Sequence, residues 1–324
     1  MARGENKFNY LIKIVNTQYK SNKFRFFSIL HDSSYLRDDV KEVDLDLFGS
    51  YLAGLFEGDG HIWIPSDKLM KKHNPRFCIT FNKNDLPLAN AILKKIGYGF
   101  IRIKSKENAI VLTVSPIKGL KVILNLISDY LRTPKINQVN KLINWLNKYH
   151  NTNLNILTRN EKSLILDYWL SGFIDADGGF LINYSKNKLK NKEIIKFTMT
   201  IEQRMVDPIT QESYESILIM ISKFFNVNLR IRHQKLTQRS YYRIVISSKK
   251  SLIILINYLD LYPLLSSKYL NYLDWKSGLF IKYNNKPLSD SNKVDILNLK
   301  MNMNKRRIYY NWDHLNKSSF FYIE

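Results

Sequence analysis

Cysteine occurs once in the 324 residues, at Cys78, which excludes an internal disulfide framework and any cysteine-based zinc site. No uninterrupted apolar run reaches roughly 18 residues, so no membrane span is expected. Glycine (12) and proline (8) are scarce while Asn, Ile, Lys and Tyr abound. That bias points to coding DNA rich in A and T and carries no chemistry. Acids are also few: 28 Asp+Glu against 50 Lys+Arg leave a formal charge of +22. Such an excess favours a polyanionic partner over a small neutral metabolite. Hydrophobic residues, at 45%, and aromatics, at 13%, supply a sizeable core and exclude a wholly disordered chain. Residues 6–31 contain no acid but carry Lys7, Lys13, Lys20, Lys23 and Arg25. They read as a basic arm ahead of the first domain or as a targeting segment, poor in Ser and without a clear cleavage site.

The chain repeats itself. Leu47-Phe-Gly-Ser-Tyr-Leu-Ala-Gly-Leu-Phe-Glu-Gly-Asp-Gly60 aligns without gaps on Ile165-Leu-Asp-Tyr-Trp-Leu-Ser-Gly-Phe-Ile-Asp-Ala-Asp-Gly178. Gly54 then meets Gly172, Glu57 meets Asp175 and Asp59 meets Asp177, a spacing of one small domain. After each copy, apolar residues alternate with others (Ile62 and Ile64; Phe180 and Ile182), the period of a strand. A second strand follows at Arg76–Asn82 and at Lys196–Gln203. Helices are expected over Leu86–Ile96 and Ser213–Phe225. Two further strands lie near 99–104 and 109–114, and again near 227–233 and 241–247. Helical pairs close the units at 116–130 with 136–148, and at 249–260 with 267–281. The expected fold is therefore α+β: two pseudo-symmetric modules, each a four-stranded antiparallel sheet with flanking helices. The divisions are an arm at 1–43, modules at 44–150 and 161–283, an Asn-rich linker at 151–160 and a basic tail at 284–324. The tail reads as a loop over Asn284–Asn292, then Asn302-Met-Asn-Lys-Arg-Arg307 and an aromatic end.

Read as a helix over Leu47–Glu57, the first copy is capped by Asp44 or Asp46, and Gly58 suits a left-handed turn at its end. Ser50, Gly54 and Gly58 share one face, and Gly172 and Ala176 repeat it, so the two helices are expected to pack closely and join the modules. Each helix ends in acids, where the helix dipole is already negative. A divalent cation resolves that conflict, since hard Mg²⁺ accepts carboxylate oxygens and keeps waters for exchange. An EF-hand reading fails: Asp175-x-Asp177 lacks the third ligand, and Lys186 stands where Glu is needed.

Leu52-Ala-Gly-Leu-Phe-Glu-Gly-Asp-Gly60 and Leu170-Ser-Gly-Phe-Ile-Asp-Ala-Asp-Gly178 resemble the LAGLIDADG homing endonucleases in their single-chain, two-motif form. Phe81-Asn-Lys-Asn-Asp-Leu-Pro87, Ile201-Glu-Gln-Arg-Met-Val-Asp-Pro208, Tyr262-Pro-Leu-Leu-Ser-Ser-Lys268 and Met301–Arg307 extend the likeness from about residue 44 to the tail, in the wording of fungal mitochondrial intron-encoded members. The resemblance implies a monomer that cuts both strands of duplex DNA across the minor groove, leaving short 3′ overhangs, and resides in the mitochondrion. It implies Mg²⁺ as cofactor, with Mn²⁺ or Ca²⁺ as substitutes for binding. Asp59 and Asp177 match the metal-binding acids, with the carbonyls of Gly58 and Ala176 as further ligands. Glu57 and Asp175 match structural positions. Lys135 and Lys268 match lysines beside the scissile phosphate. A glutamine at the end of the second strand is offered only by Gln203, opposite Phe81 in the first half, and its register is open. An intron-RNA maturase is the alternative function.

If Ile62, Phe77, Ile79 and Phe81 face the core, the opposite sheet face presents His61, Trp63, Arg76, Cys78, Thr80 and Asn82, with Arg102 and Lys104 beside them. The second face offers Asn183, Lys196, Thr198, Thr200, Glu202, Arg230, Arg232 and Arg243. Twisted strands fit the DNA major groove, where Arg and Asn read base edges, while the remaining positive charge meets phosphates.

Overall fold

The computed structural model describes residues 40–66, 69, 72–187, 192–234, 239–285 and 287–321, with side chains of 40–46, 187 and 192 left aside. The basic segment 6–31 lies outside them. Residues from Leu45 onward form one compact unit.

The first repeated motif is helix α1 (Val40–Asp59) and the second is α5 (Trp169–Asp177). Each acid-ended helix turns directly into a strand, β1 (Gly60–Trp63) and β5 (Gly178–Asn187). The first module continues with β2 (Arg76–Asn82), α2 (Leu86–Ile96), β3 (Phe100–Ile103), β4 (Ala109–Val114), α3 (Ile117–Ile127) and α4 (Ile136–His150). The second repeats that order as β6 (Lys192–Arg204), α6 (Glu215–Phe224), β7 (Leu229–Gln234), β8 (Arg239–Ile246), α7 (Lys249–Leu261) and α8 (Lys268–Asn284). Both sheets are wholly antiparallel, with spatial orders β1-β2-β4-β3 and β5-β6-β8-β7. Registers match as well: Gly60 faces Ile79, and Gly178 faces Ile201.

One face of each sheet is covered by helices. Phe77, Ile79 and Phe81 of β2, and Phe197, Met199 and Ile201 of β6, are buried against Leu88, Ile92, Ile123, Ile221, Leu255 and Trp275. The alternation expected along these strands is therefore what sets the two layers. Residues 151–163 link the modules without regular structure, and Asn140 and Asn147 of α4 pin this segment through Leu157 and Leu154.

Three local expectations fail. Helix α1 spans Val40–Asp59, so Asp44 and Asp46 lie inside it and not at its start. Gly58 is the penultimate helical residue and does not adopt positive φ, so a left-handed turn is not its role. The tail is more ordered than a loop: helix α9 (Asp290–Met301) packs on α8, and α10 (Asp313–Asn316) follows. Ile296, Met303, Leu315 and Phe320 are buried there, and the Phe320 and Phe321 rings meet Phe48 of α1 edge-on. A run of polar residues hid these isolated anchors.

Candidate active site at the motif seam

The two motif helices touch backbone to backbone. A Cβ added to Gly54 would stand 1.9 Å from the carbonyl oxygen of Trp169, and one on Gly172 would stand 2.1 Å from that of Tyr51. The contact is reciprocal, since Tyr51 and Trp169 occupy the same place in their motifs. Further along, a Cβ on Gly58 would meet that of Ala176 at 2.1 Å and lie 3.3 Å from Oδ2 of Asp177. Small residues four apart thus let the acid-bearing ends converge.

Glu57 and Asp175, two residues before those ends and so on the opposite side of the helix, do not face the seam's opening. Glu57 is fully buried and accepts from Arg132 N (2.9 Å), from Thr133 N (2.6 Å) and Oγ1 (2.7 Å), and from the Trp169 indole (2.7 Å). Burial raises its carboxyl, and these hydrogen bonds oppose the rise. Asp175 repeats the pattern with Leu265 N (2.8 Å), Ser266 N (3.1 Å), Ser266 Oγ (2.5 Å) and the Tyr51 hydroxyl (2.8 Å). Each acid fixes the loop that leads into the closing helix of its own module, and each takes one bond from the opposite motif helix.

Those loops deliver the lysines. Lys135 immediately precedes α4, and its Nζ donates to the carbonyls of Gly58 (2.6 Å), Gly60 (2.8 Å) and Phe56 (3.3 Å). Lys268 opens α8 and donates to Ala176 (2.7 Å) and Ile174 (3.1 Å). Burial lowers both ammonium groups from their ordinary value, while Asp59 and Asp177 act in the other direction on each. The looser of the two sequence assignments, Lys135, sits in the same relation to its motif as Lys268 does.

Asp59 and Asp177 feel one another. The half-buried Asp177 carboxyl is pushed up to about 7, first by desolvation and then by the charge of Asp59, with Lys135 and Lys268 opposing. Desolvation also raises Asp59, against the same two lysines. Asp177 Oδ2 accepts from Gln203 Nε2 at 2.7 Å. The glutamine's register is thereby settled: Gly178 opposite Ile201 places residue 203 just beyond the helix end. In the first module the matching position is the buried Phe81, so Asp59 has no such partner there.

The available donors are two carboxylates and the carbonyls of Gly58 and Ala176. An all-oxygen set suits a hard divalent cation and not zinc or copper. Among the described residues, no group of three or more His, Cys, Asp and Glu could hold a metal by itself, which leaves room for phosphate and water oxygens. The two carbonyls already accept the lysines, so each has one lone pair to spare.

The outer sheet faces divide the candidate DNA contacts. His61, Trp63, Arg76, Thr80, Arg102 and Lys104 line one groove together with Phe100, Val111 and Thr113. The Arg76 guanidinium lies 5.0 Å from the Trp63 ring centre, a cation–π contact that leaves Trp63 half-buried. Cys78 forms the floor of that groove and is only 6% exposed, with Thr113 beside it, and Thr198 is equally sunken at 8%. Neither is the exposed reader that alternation alone suggested. Asn82 lies past the groove and accepts from Asn84 N, holding a turn. On the second face Asn183, Lys196 and Arg230 are exposed, and Thr200 is half-buried. Arg232 and Arg243 are not free cations, because both lie against Glu202.

Residues 52–146 and 170–279 each match the family model described as LAGLIDADG endonuclease. The chain belongs to that family. Among curated relatives, it is 29% identical over 306 residues to "Intron-encoded DNA endonuclease aI3" of Saccharomyces cerevisiae, spanning 85% of this chain and 74% of that one. It is also 29% identical over 200 residues to "Intron-encoded RNA maturase bI4" of the same yeast, a match covering 60% of this chain and 27% of that protein. Among solved structures, the LAGLIDADG homing endonuclease I-SmaMI bound to cleaved DNA superposes with a TM-score of 0.61 at 19% identity, over 80% of this chain and 98% of the other. At that identity the likeness is one of LAGLIDADG fold.

Proposed function

We propose that this LAGLIDADG protein is a site-specific endonuclease of double-stranded DNA that hydrolyses one phosphodiester on each strand. The observation that carries the reading is the convergence of Asp59 and Asp177, one from each repeat, where the two motif helices end against one another. Asp59, Asp177 and the carbonyls of Gly58 and Ala176 would hold Mg²⁺. When bound, such a cation neutralises charge on a phosphodiester and acidifies water.

The chain's own groups do the rest. Lys135 and Lys268 place positive charge beside the two acids, where it offsets the charge that develops on phosphate oxygens. Gln203 fixes the Asp177 carboxylate in one orientation. Glu57 and Asp175 hold the lysine-bearing loops against the motif helices, so that charge and acid keep their spacing. The sheet faces take the duplex: arginine and asparagine side chains read base edges and lysines meet phosphates. Since one chain supplies both acids and both sheets, it acts as a monomer, and the cuts leave short 3′ overhangs. Intron-encoded relatives in yeast, together with the A/T bias, support a mitochondrial home.

The test is Asp59→Asn and Asp177→Asn. Each variant should lose double-strand cleavage in Mg²⁺ and keep duplex binding. Retained double-strand cleavage in both would overturn the assignment. The likeness to an RNA maturase favours one second reading, assistance in splicing. Filter binding of intron RNA against duplex DNA separates the two, since a maturase that does not cut prefers the RNA.

A further inference from the structure

Glu202 is an acid set on the outer, basic face of the second sheet. It stands opposite Arg243 of β8, which stands opposite Arg230 of β7, so the three form one row across the strands. Both carboxylate oxygens lie 2.8 Å from Nη1 of Arg232, and Oε2 lies 3.6 Å from Nε of Arg243. Among the described residues, the strands of the first sheet carry no acid. Its matching position is Thr80, opposite Val111. An acid on a surface that must approach polyphosphate weakens the non-specific attraction. Fold stability does not account for it, because the side chains are about a quarter to a half exposed and such ion pairs contribute little.

Resting on the DNA-cleaving reading above, we propose that Glu202 is a specificity-determining residue that sets Arg232 and Arg243 as an oriented pair of guanine readers. A guanidinium carries five donors in a rigid fork. Glu202 holds Nη1 of Arg232 through both oxygens and draws Nε of Arg243 toward it at ion-pair range, which biases both guanidiniums and leaves their outward donors for O6 and N7 of guanine. Its charge also keeps the arginines from settling on the backbone. The second module therefore discriminates by base, and the first relies more on Arg76, Arg102 and groove shape.

Wild type and Glu202→Ala should be compared for binding to a library of target-site duplexes at several salt concentrations. The alanine variant should lose about tenfold in preference for guanine at the base pairs met by the second module. Its log affinity should fall more steeply with log salt, by about one unit of slope, as a released arginine turns to phosphate. Preferences across the first module should stay as they were. Glu202→Gln, which keeps one acceptor oxygen, should fall between. Unaltered base preferences in Glu202→Ala, or an even weakening across both half-sites, would overturn the proposal. If that variant fails to fold, Arg232→Ala and Arg243→Ala carry the test: each should lose guanine preference at one position, and retention by both sinks the idea. A wild type that binds no duplex selectively instead removes the endonuclease reading itself.

Discussion

The indole of Trp169 donates to Glu57 across the seam between the motif helices, at 2.7 Å and out of contact with solvent. The reverse strap joins Tyr51 to Asp175 at 2.8 Å. Glu57→Ala would orphan three donors in the adjoining loop besides the indole. An unmet buried donor is costly, so a loss of about 3 kcal/mol is expected in urea unfolding. Glu57→Gln retains an acceptor oxygen and should lose roughly 1 kcal/mol. Equal losses for the two would mean that the hydrogen bonds are not what holds this loop.

Gly54 and Gly172 leave no room for a side chain. Gly54→Val should cost about 2 kcal/mol or more, since neither backbone can retreat without parting the helices. Gly97, at positive φ with nothing within 4 Å, tests strain instead of space. Gly97→Ala should cost only about 1 kcal/mol. Thermal unfolding of both variants gives the comparison.

Lys135→Met and Lys268→Met should each slow cleavage about a hundredfold with little change in DNA affinity. Nicked intermediate should accumulate in each case, because the two lysines serve different motif ends. Gln203→Leu should act on one strand alone, since Phe81 already stands in the other module's matching place. Gel separation of nicked and linear plasmid reports both effects. A Gln203 variant that slows the two strands equally would show that the glutamine does not act through Asp177.

His314 gives the fold an acid-side weakness. It stacks on Tyr269 (4.4 Å between ring centres) and Trp312 (5.5 Å), with Nε2 3.1 Å from the Leu265 carbonyl. Burial lowers its imidazole from the ordinary value, with the Leu265 carbonyl and Asp175 opposing. A lowered folded value means that the neutral ring is preferred. Its stabilising share is complete above the ordinary histidine value of about 6.5 and fades as pH falls through that value toward the lowered one. Relative to His314→Gln, the wild-type urea midpoint should fall between about pH 7.5 and pH 5.5, a difference in slope that separates the imidazole from raised carboxyls such as Asp177, which act in the opposite sense. An unchanged slope would assign the acid sensitivity to other groups.

Much of the fold was legible from the repeat. The paired motifs, the alternation along Phe77–Phe81 and Phe197–Ile201, and the glycines at 54 and 172 sufficed for two antiparallel modules and a close helix seam. Asp59 and Asp177 stand out as candidates for the same reason, because the duplicated motif presents them twice, whereas Lys135 and Lys268 follow only from the family resemblance, since their spacing differs from that of the motifs. Cys78 and Thr198 were misread as exposed. Period-two alternation assigns a side to each residue, but depth on that side depends on neighbours such as Thr113 that belong to distant strands.

Local order alone thus determined the helices and strands of the two repeats, the side of each strand that faces the core and the acids that end each motif, since those follow from periodicity and covalent spacing. The straps from Tyr51 and Trp169, the grip of Gln203 on Asp177 and the Glu202–Arg232 pair were decided only in the folded molecule. Each joins elements 26 or more residues apart, and a hydrogen bond between such atoms exists only once helix packing and strand register have fixed their positions.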